Sequence, residues 1–227
     1  MEAETTLSQN RPAGQIGEKT MKRSVIIGGA DIHQYGQIRA FLRADDFFIY
    51  CDSGLKHMEA LAFRPNLIIG DFDSHENPHM DVETIVLPCE KDDTDTVFAV
   101  KEAIRRGFEE ILLIGVIGGR LDHTLGNVSI LLNLAARGIK GLIVDDYSEM
   151  EIIPEGETAL VEDRYPFFSL LNISGTAEQV TIENATYNLK DATSTCEYQY
   201  GVSNEVLPGK IARITVGKGK LLLIRDR

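Results

Sequence analysis

The sequence predicts an α/β protein: a mostly parallel sheet with flanking helices, followed by a C-terminal antiparallel β-sandwich. Three observations carry that prediction. Up to about residue 146, short and wholly apolar runs alternate with amphipathic stretches, and wholly apolar runs belong to strands covered on both faces. Two of the amphipathic stretches stop at Gly107 and Gly138, as helices do where the chain turns left-handed. Beyond about residue 150 the helical period disappears and only short β-like runs remain.

Taken in chain order, residues 1–20 are polar, include Pro12, Gly14 and Gly17 and show no apolar period, so a mobile leader is expected. Strands are expected at 25–27, 47–50, 67–69, 111–116 and 142–144, with helices at 32–42, 53–62, 96–106 and 125–136 between them. The third helix carries Val97, Val100 and Ile104 on one face; the fourth carries Leu125, Val128, Leu131, Leu132 and Ala135. Such alternation implies a Rossmann-like sheet with helices on both faces. The second part holds β-like runs at 151–153, 158–161, 167–173, 180–182, 211–216 and 221–224. Gly217-Lys218-Gly219-Lys220 reads as a hairpin turn between the last two. The expected division is a disordered leader at 1–20, an α/β unit at 21–147 and a β-sandwich at 148–227.

Composition narrows the function. Lysine and arginine number 23 against 35 aspartates and glutamates, a net charge of −12. Binding along a nucleic-acid backbone rests on basic stripes, so that class is disfavoured, while a local pocket for one nucleotide is not. The apolar run at 111–117 is far short of the roughly 20 residues a membrane span needs. No basic segment followed by an apolar one opens the chain, so a cytoplasmic protein is expected. Cys51, Cys89 and Cys196 are odd in number and lack CxxC spacing, which fits semi-buried thiols better than a disulfide framework or a zinc site.

Three segments carry chemistry. In Leu67-Ile68-Ile69-Gly70-Asp71-Phe72-Asp73-Ser74, a buried strand runs into two carboxylates, at the sheet edge where open α/β folds bind ligands. Their mutual repulsion would be relieved by a hard cation such as Mg²⁺; a solvated turn is the plainer alternative. Lys91-Asp92-Asp93-Thr94-Asp95-Thr96 precedes a helix. One or two of its carboxylates serve as caps, but three exceed what a cap requires, and Lys91 is a cation for phosphate. In Gly118-Gly119-Arg120-Leu121-Asp122-His123, a glycine pair precedes a helix that carries Asn127 further on. Glycine backbone N–H groups approach phosphate closely, and Arg120 adds forked donors. Gly28-Gly29 after the first strand and Asp52-Ser53-Gly54 after the second either face a nucleotide or form tight capped turns. Neither a GxxxxGK[ST] loop nor a full GxGxxG is present.

In order and spacing these residues, with Gly201-Val202-Ser203-Asn204-Glu205 near the C-terminus, resemble the thiamine pyrophosphokinase family from residue 21 onward. The resemblance implies transfer of the β,γ-pyrophosphoryl unit of ATP to thiamine, giving thiamine diphosphate and AMP, with Mg²⁺ as cofactor. It also implies a homodimer whose active sites lie between the catalytic unit of one subunit and the sandwich of the other. Carried onto this chain, it makes Asp71, Asp73, Asp92, Asp95 and Arg120 catalytic, with Asp71, Asp73 and Asp95 on the metal. ATP falls to Gly28, Gly29, Asp52, Ser53, Gly54, Lys91, Gly118, Gly119 and Arg120. Thiamine falls to Asp95, Asp122, His123, Asn127, Ser203 and Asn204. Some members stack an indole on thiamine, whereas this chain has no Trp; Tyr187, Tyr198 or Tyr200 takes that place. A rival reading makes Asp71 and Asp73 the nucleophile and acid of an aspartyl-phosphate phosphatase. It leaves the segment from Gly118 to Asn127 and the second unit without roles. A binding module without turnover is the non-enzymatic alternative.

Overall fold

A computed structural model describes residues 23–72, 79–90 and 92–227; the expected leader, Asp73, Ser74 and Lys91 lie outside them. Strand β1 (Ser24–Ile27) is buried throughout, as a Val-Ile-Ile run at the centre of a parallel sheet must be. It lies between β2 (Phe47–Cys51) and β5 (Glu110–Ile114), parallel to both. Beyond β2 the sheet continues through β3 (Leu67–Gly70) to β4 (Glu83–Val86), and beyond β5 to β6 (Lys140–Val144). The chain moves outward from β1 to β4, returns to β5 and then moves outward the other way. The strand order therefore reverses between β1 and β5, where the carboxyl ends leave a crevice.

The helices cover the two faces unequally. On one face α3 (Asp95–Arg105) and α4 (Leu121–Ala136) pack Val100, Ala103, Leu131 and Leu134 against Ile26, Ile49, Ile69 and Leu113. On the other, α1 (Tyr35–Arg39), a 3₁₀ turn at Asp52–His57 and α2 (Met58–Leu61) cover Val25, Ile27, Tyr50 and Ile114. The split follows the two-residue period of a strand, which sends Ile26 one way and Val25 and Ile27 the other. The helix expected at 32–42 spans only five residues: Asp146 accepts the N–H groups of His33 and Gln34 ahead of it, and beyond Arg39 the chain continues in three-residue turns through Leu42. The one expected at 53–62 begins as the tighter 3₁₀ form because Gly54 presses on β1: a Cβ there would lie 2.2 Å from the Ile27 carbonyl oxygen.

After β6 the sheet changes direction without ending. β7 (Ser148–Ile153) pairs antiparallel with β6, and β14 (Leu221–Asp226), β9 (Phe168–Leu171) and β12 (Gly201–Asn204) follow, ten strands in all. A second sheet of β11 (Leu189–Thr195), β10 (Thr176–Glu183), β13 (Ile211–Thr215) and β8 (Thr158–Glu162) faces this extension. Ile153, Phe168, Leu170, Leu221 and Leu223 meet Val161, Val180, Ile182 and Ile214 between them.

The expected hairpin at Gly217-Lys218-Gly219-Lys220 is corrected by this topology. β13 belongs to the four-stranded sheet and β14 to the ten-stranded one, so the segment carries the chain across the sandwich. Its apolar flanks Val216 and Leu221 are both buried in the same core, whereas a hairpin would keep them in one sheet. Strands β4, β11 and β12 were not foreseen; each is largely exposed or half-exposed, and β11 and β12 carry no apolar run. Among the described residues no cysteine is in a disulfide, but only Cys51 is buried; Cys89 and Cys196 are exposed rather than semi-buried. Among the described residues no helix is long and apolar enough to cross a membrane.

Candidate active site

A cleft of about 380 Å³ opens at the carboxyl ends of β1, β2 and β5, between the starts of α3 and α4. Of the residues expected to form a site, Gly29, Ser53, Asp95, Gly118, Gly119, Arg120, His123 and Asn127 line it. Backbones converge tightly there. Gly28 N donates to Ile114 O and Ala30 N to Gly115 O, both at 2.8 Å, and a Cβ at Gly28 would stand 2.5 Å from the Gly115 oxygen. Gly28 thus serves close strand-end packing, and the open backbone belongs to Gly119, around which nothing lies within 4 Å of a Cβ position.

The acidic group is Asp52, Asp71 and Asp95, whose nearest carboxylate oxygens all lie within 4.8 Å of one another. Each comes from a different element. Asp52 opens the 3₁₀ turn after β2 and is 3% exposed; one of its oxygens accepts the Ser53 N–H. Asp71 follows β3, and Asp95 begins α3 behind the cap Thr94, whose hydroxyl accepts from Val97 N at 3.3 Å. Gly70 makes room: a Cβ there would sit 2.5 Å from that of Asp52. Pairs of such charges repel by about 3.5 kcal/mol or more at an effective dielectric near 20, so the set suits a hard divalent cation with oxygen ligands. Asp52 was expected on the nucleotide, and its place among the carboxylates depends on β2 and β3 being neighbours. Asp92 is exposed outside this trio, and Asp93 is held by Lys101 Nζ at 2.5 Å.

The loop from β5 to α4 forms the opposite wall. Asn127, 6% exposed, donates from Nδ2 to the Val116 carbonyl at 2.7 Å. The Thr124 hydroxyl accepts from Gly118 N and donates to Gly118 O, each at 3.2 Å. Thr124 was overlooked because it reads as an ordinary first-turn residue. Arg120 Nη2 donates to Asp122 Oδ2 at 2.6 Å, with both side chains about two-thirds exposed. The guanidinium holds the Asp122 carboxyl below its ordinary range.

Ser203 and Asn204 are not brought into this cleft. They lie on β12, five strand positions from β5, roughly 24 Å at about 4.8 Å per strand. Asn204 is buried and clamps Tyr187, accepting its N–H at 3.0 Å and donating to its carbonyl at 2.8 Å. Ser203 is exposed. Near these residues Tyr187 and Tyr198 are about two-thirds exposed and Tyr200 is 42% exposed, the Tyr200 hydroxyl donating to Thr193 O at 2.8 Å.

A sheet-edge cleft at the strand-order reversal, with a glycine loop facing clustered carboxylates, defines the class of α/β enzymes that transfer phosphoryl groups. Two family models match the chain: the catalytic domain of thiamin pyrophosphokinase over residues 38–143 and its vitamin B1 binding domain over 152–221. The chain belongs to the thiamin pyrophosphokinase family. It is 26% identical to the thiamine pyrophosphokinase of Bacillus subtilis over 213 residues, 91% of this chain and 99% of that one. The crystal structure of a Geobacillus thermodenitrificans thiamin pyrophosphokinase superposes with a TM-score of 0.77 at 28% identity, covering 90% of this chain and 97% of that one. A Bacillus subtilis crystal structure shares the fold with a TM-score of 0.80 at 23% identity, over 90% of this chain and 99% of that one.

Proposed function

We propose that this protein transfers the β,γ-pyrophosphoryl unit of ATP to the hydroxyl of thiamine, giving thiamine diphosphate and AMP. The observation that carries this reading is the Asp95 carboxylate, with the carboxylates of Asp52 and Asp71 within 4.8 Å of it, in a cleft that the Gly118 to Arg120 loop also lines, in a chain of this family. The hydroxyl oxygen of thiamine forms a bond to the β-phosphorus, the bond from that phosphorus to the α,β-bridging oxygen breaks, and AMP departs. In-line transfer of this kind needs position and charge neutralisation rather than a covalent enzyme intermediate. The backbone N–H of Gly119 faces the phosphates, and Arg120 exchanges Asp122 for a phosphate oxygen. The departing hydroxyl proton passes to a carboxylate of the cluster or to water. Mg²⁺ held by Asp71, Asp95 and Asp52, with Asp73 close in sequence, would neutralise triphosphate charge.

The homodimer belongs to the same proposal. Ser203 and Asn204 lie too far along the sheet to meet the cleft of their own chain, so a thiamine site that includes them needs the sandwich of a second copy. Leu121 and Leu125 at the start of α4, and Tyr187, Tyr198 and Val202 on the sandwich, are exposed apolar surface for such a contact. We also place the enzyme in the cytoplasm, where ATP is available. The decisive assay supplies ATP, Mg²⁺ and thiamine. AMP and thiamine diphosphate should appear in equal amounts, whereas inorganic phosphate released from simple phosphoesters without AMP would favour the phosphatase reading.

A further inference from the structure

We infer that His57 is a positioning residue for the nucleotide side of the cleft, acting through the carbonyl of Ala30; this rests on the proposal that ATP occupies the cleft. His57 is 2% exposed and contributes nothing to the cleft lining. Its Nε2 lies 2.8 Å from Ala30 O and its Nδ1 lies 2.8 Å from the Tyr35 hydroxyl. A carbonyl only accepts, so Nε2 carries the proton and Nδ1 accepts from the Tyr35 O–H. The Tyr35 ring tilts against the imidazole at 5.8 Å between centroids. Burial lowers the His57 pKa below its ordinary value, despite the nearby Asp31 and Asp146.

The atom that His57 holds is a junction. Ala30 N donates to Gly115 O, so one residue is tied to the end of β5 through its N–H and to the turn after β2 through its carbonyl. Ala30 and Asp31 both line the cleft. Two further contacts fix the same loop from outside it. Asp146 accepts from His33 N at 2.8 Å and Gln34 N at 2.9 Å, and Lys56 Nζ reaches Asp31 Oδ1 at 2.8 Å. Without the imidazole, the Ala30 carbonyl loses its donor and the wall of the cleft loses its tie to the turn after β2.

The test measures ATP and thiamine kinetics, ATP binding by calorimetry and thermal unfolding for wild type, His57→Leu, His57→Gln and Tyr35→Phe. His57→Leu should raise KM for ATP about three- to tenfold, as loss of one hydrogen bond implies. Its kcat should stay within about twofold, and KM for thiamine should not change. His57→Gln keeps a donor near the Nε2 position and should recover part of the loss. Tyr35→Phe removes the hydroxyl that holds Nδ1 and orients the ring, and should shift KM for ATP in the same direction, without the steric change that threatens folding. A lowered melting temperature with wild-type KM for ATP in all three variants would overturn the inference, as would equal effects on both substrates. Wild-type protein that neither binds ATP nor forms AMP would instead overturn the reading on which it rests.

Discussion

Asp52 and Gly70 are tied together by one missing atom. Gly70 ends β3 where any Cβ would strike Asp52, so the first carboxylate of the cluster stands where the next strand leaves space for it. Replacing Asp52, Asp71 or Asp95 by Asn removes one cation ligand while keeping the side-chain shape. Each variant should remain folded and lose about a hundredfold or more in turnover, measured as AMP released under saturating ATP and thiamine. Activity within twofold of wild type in all three would sink the metal site. Asp71 and Asp95 were legible in the sequence because polar residues directly follow apolar runs or precede a helix. Asp52 was legible only as a turn or phosphate residue, since a single sequence does not show that the ends of β2 and β3 lie side by side. His57 gave no signal at all, because a lone histidine on a short turn looks like any other.

At the scale of elements, α3 shows how a site helix is held. Glu102, 7% exposed, accepts from Arg105 at 2.6 and 2.7 Å and from Arg106 Nε at 2.7 Å, while Arg106 also reaches Glu83 on β4 at 2.6 Å. Arg105, with Arg106 and against burial, holds the Glu102 carboxyl at about 2 instead of 4.5. The folded value lies below the unfolded one, so the stabilisation is complete above about pH 4.5 and fades as pH falls towards 2. Glu102→Gln should cost about 1–2 kcal/mol at neutral pH, allowing for solvent around the exposed Arg105. Urea unfolding across pH 2–7 should show the gap from wild type closing in acid; a constant gap would contradict it. Helix α3 was well placed by its apolar face and its glycine stop; the same signs placed the end of α4, which starts at Leu121 rather than at 125. Strand β4, which anchors this network, is an edge strand whose signal in the sequence is only the short run Ile85-Val86-Leu87 before Pro88.

For the whole molecule, the question is whether one chain holds a complete site. If the cleft of one subunit uses Ser203 of its partner, two defective variants can repair each other. Ser203→Arg sets bulk and positive charge against cationic thiamine, while Asp95→Asn disables the carboxylate cluster. Each alone should be nearly inactive. Unfolded and refolded together in equal amounts, they should recover about a quarter of wild-type activity, because half of the dimers would carry one intact site. No recovery, with mixed dimers verified by mass, would place each site within a single chain. The loss of helical period after α4 was legible in the sequence, and the division into an α/β unit and a sandwich remains a proposal that rests on it. What was not legible is that the main sheet runs through it, because pairing between β6 and β7 leaves no mark in either strand alone.

That shared sheet makes the C-terminal part a guardian of solubility for the N-terminal part. Strand β7 covers the backbone of β6 over Leu142 to Val144, and without it Ile143 and Val144, both fully buried, would border an unpaired row of N–H and C=O groups. Such a row recruits other chains into runaway β-pairing. A fragment ending at residue 146 should therefore associate into large particles at concentrations where the whole chain scatters light as a single small species. A clear, monodisperse fragment would contradict this. During synthesis the same exposure lasts until β7 emerges, which makes the short Asp145–Tyr147 turn, braced by Asp145 accepting from Tyr147 N and Ser148 N at 2.7 Å, the step that ends the hazard.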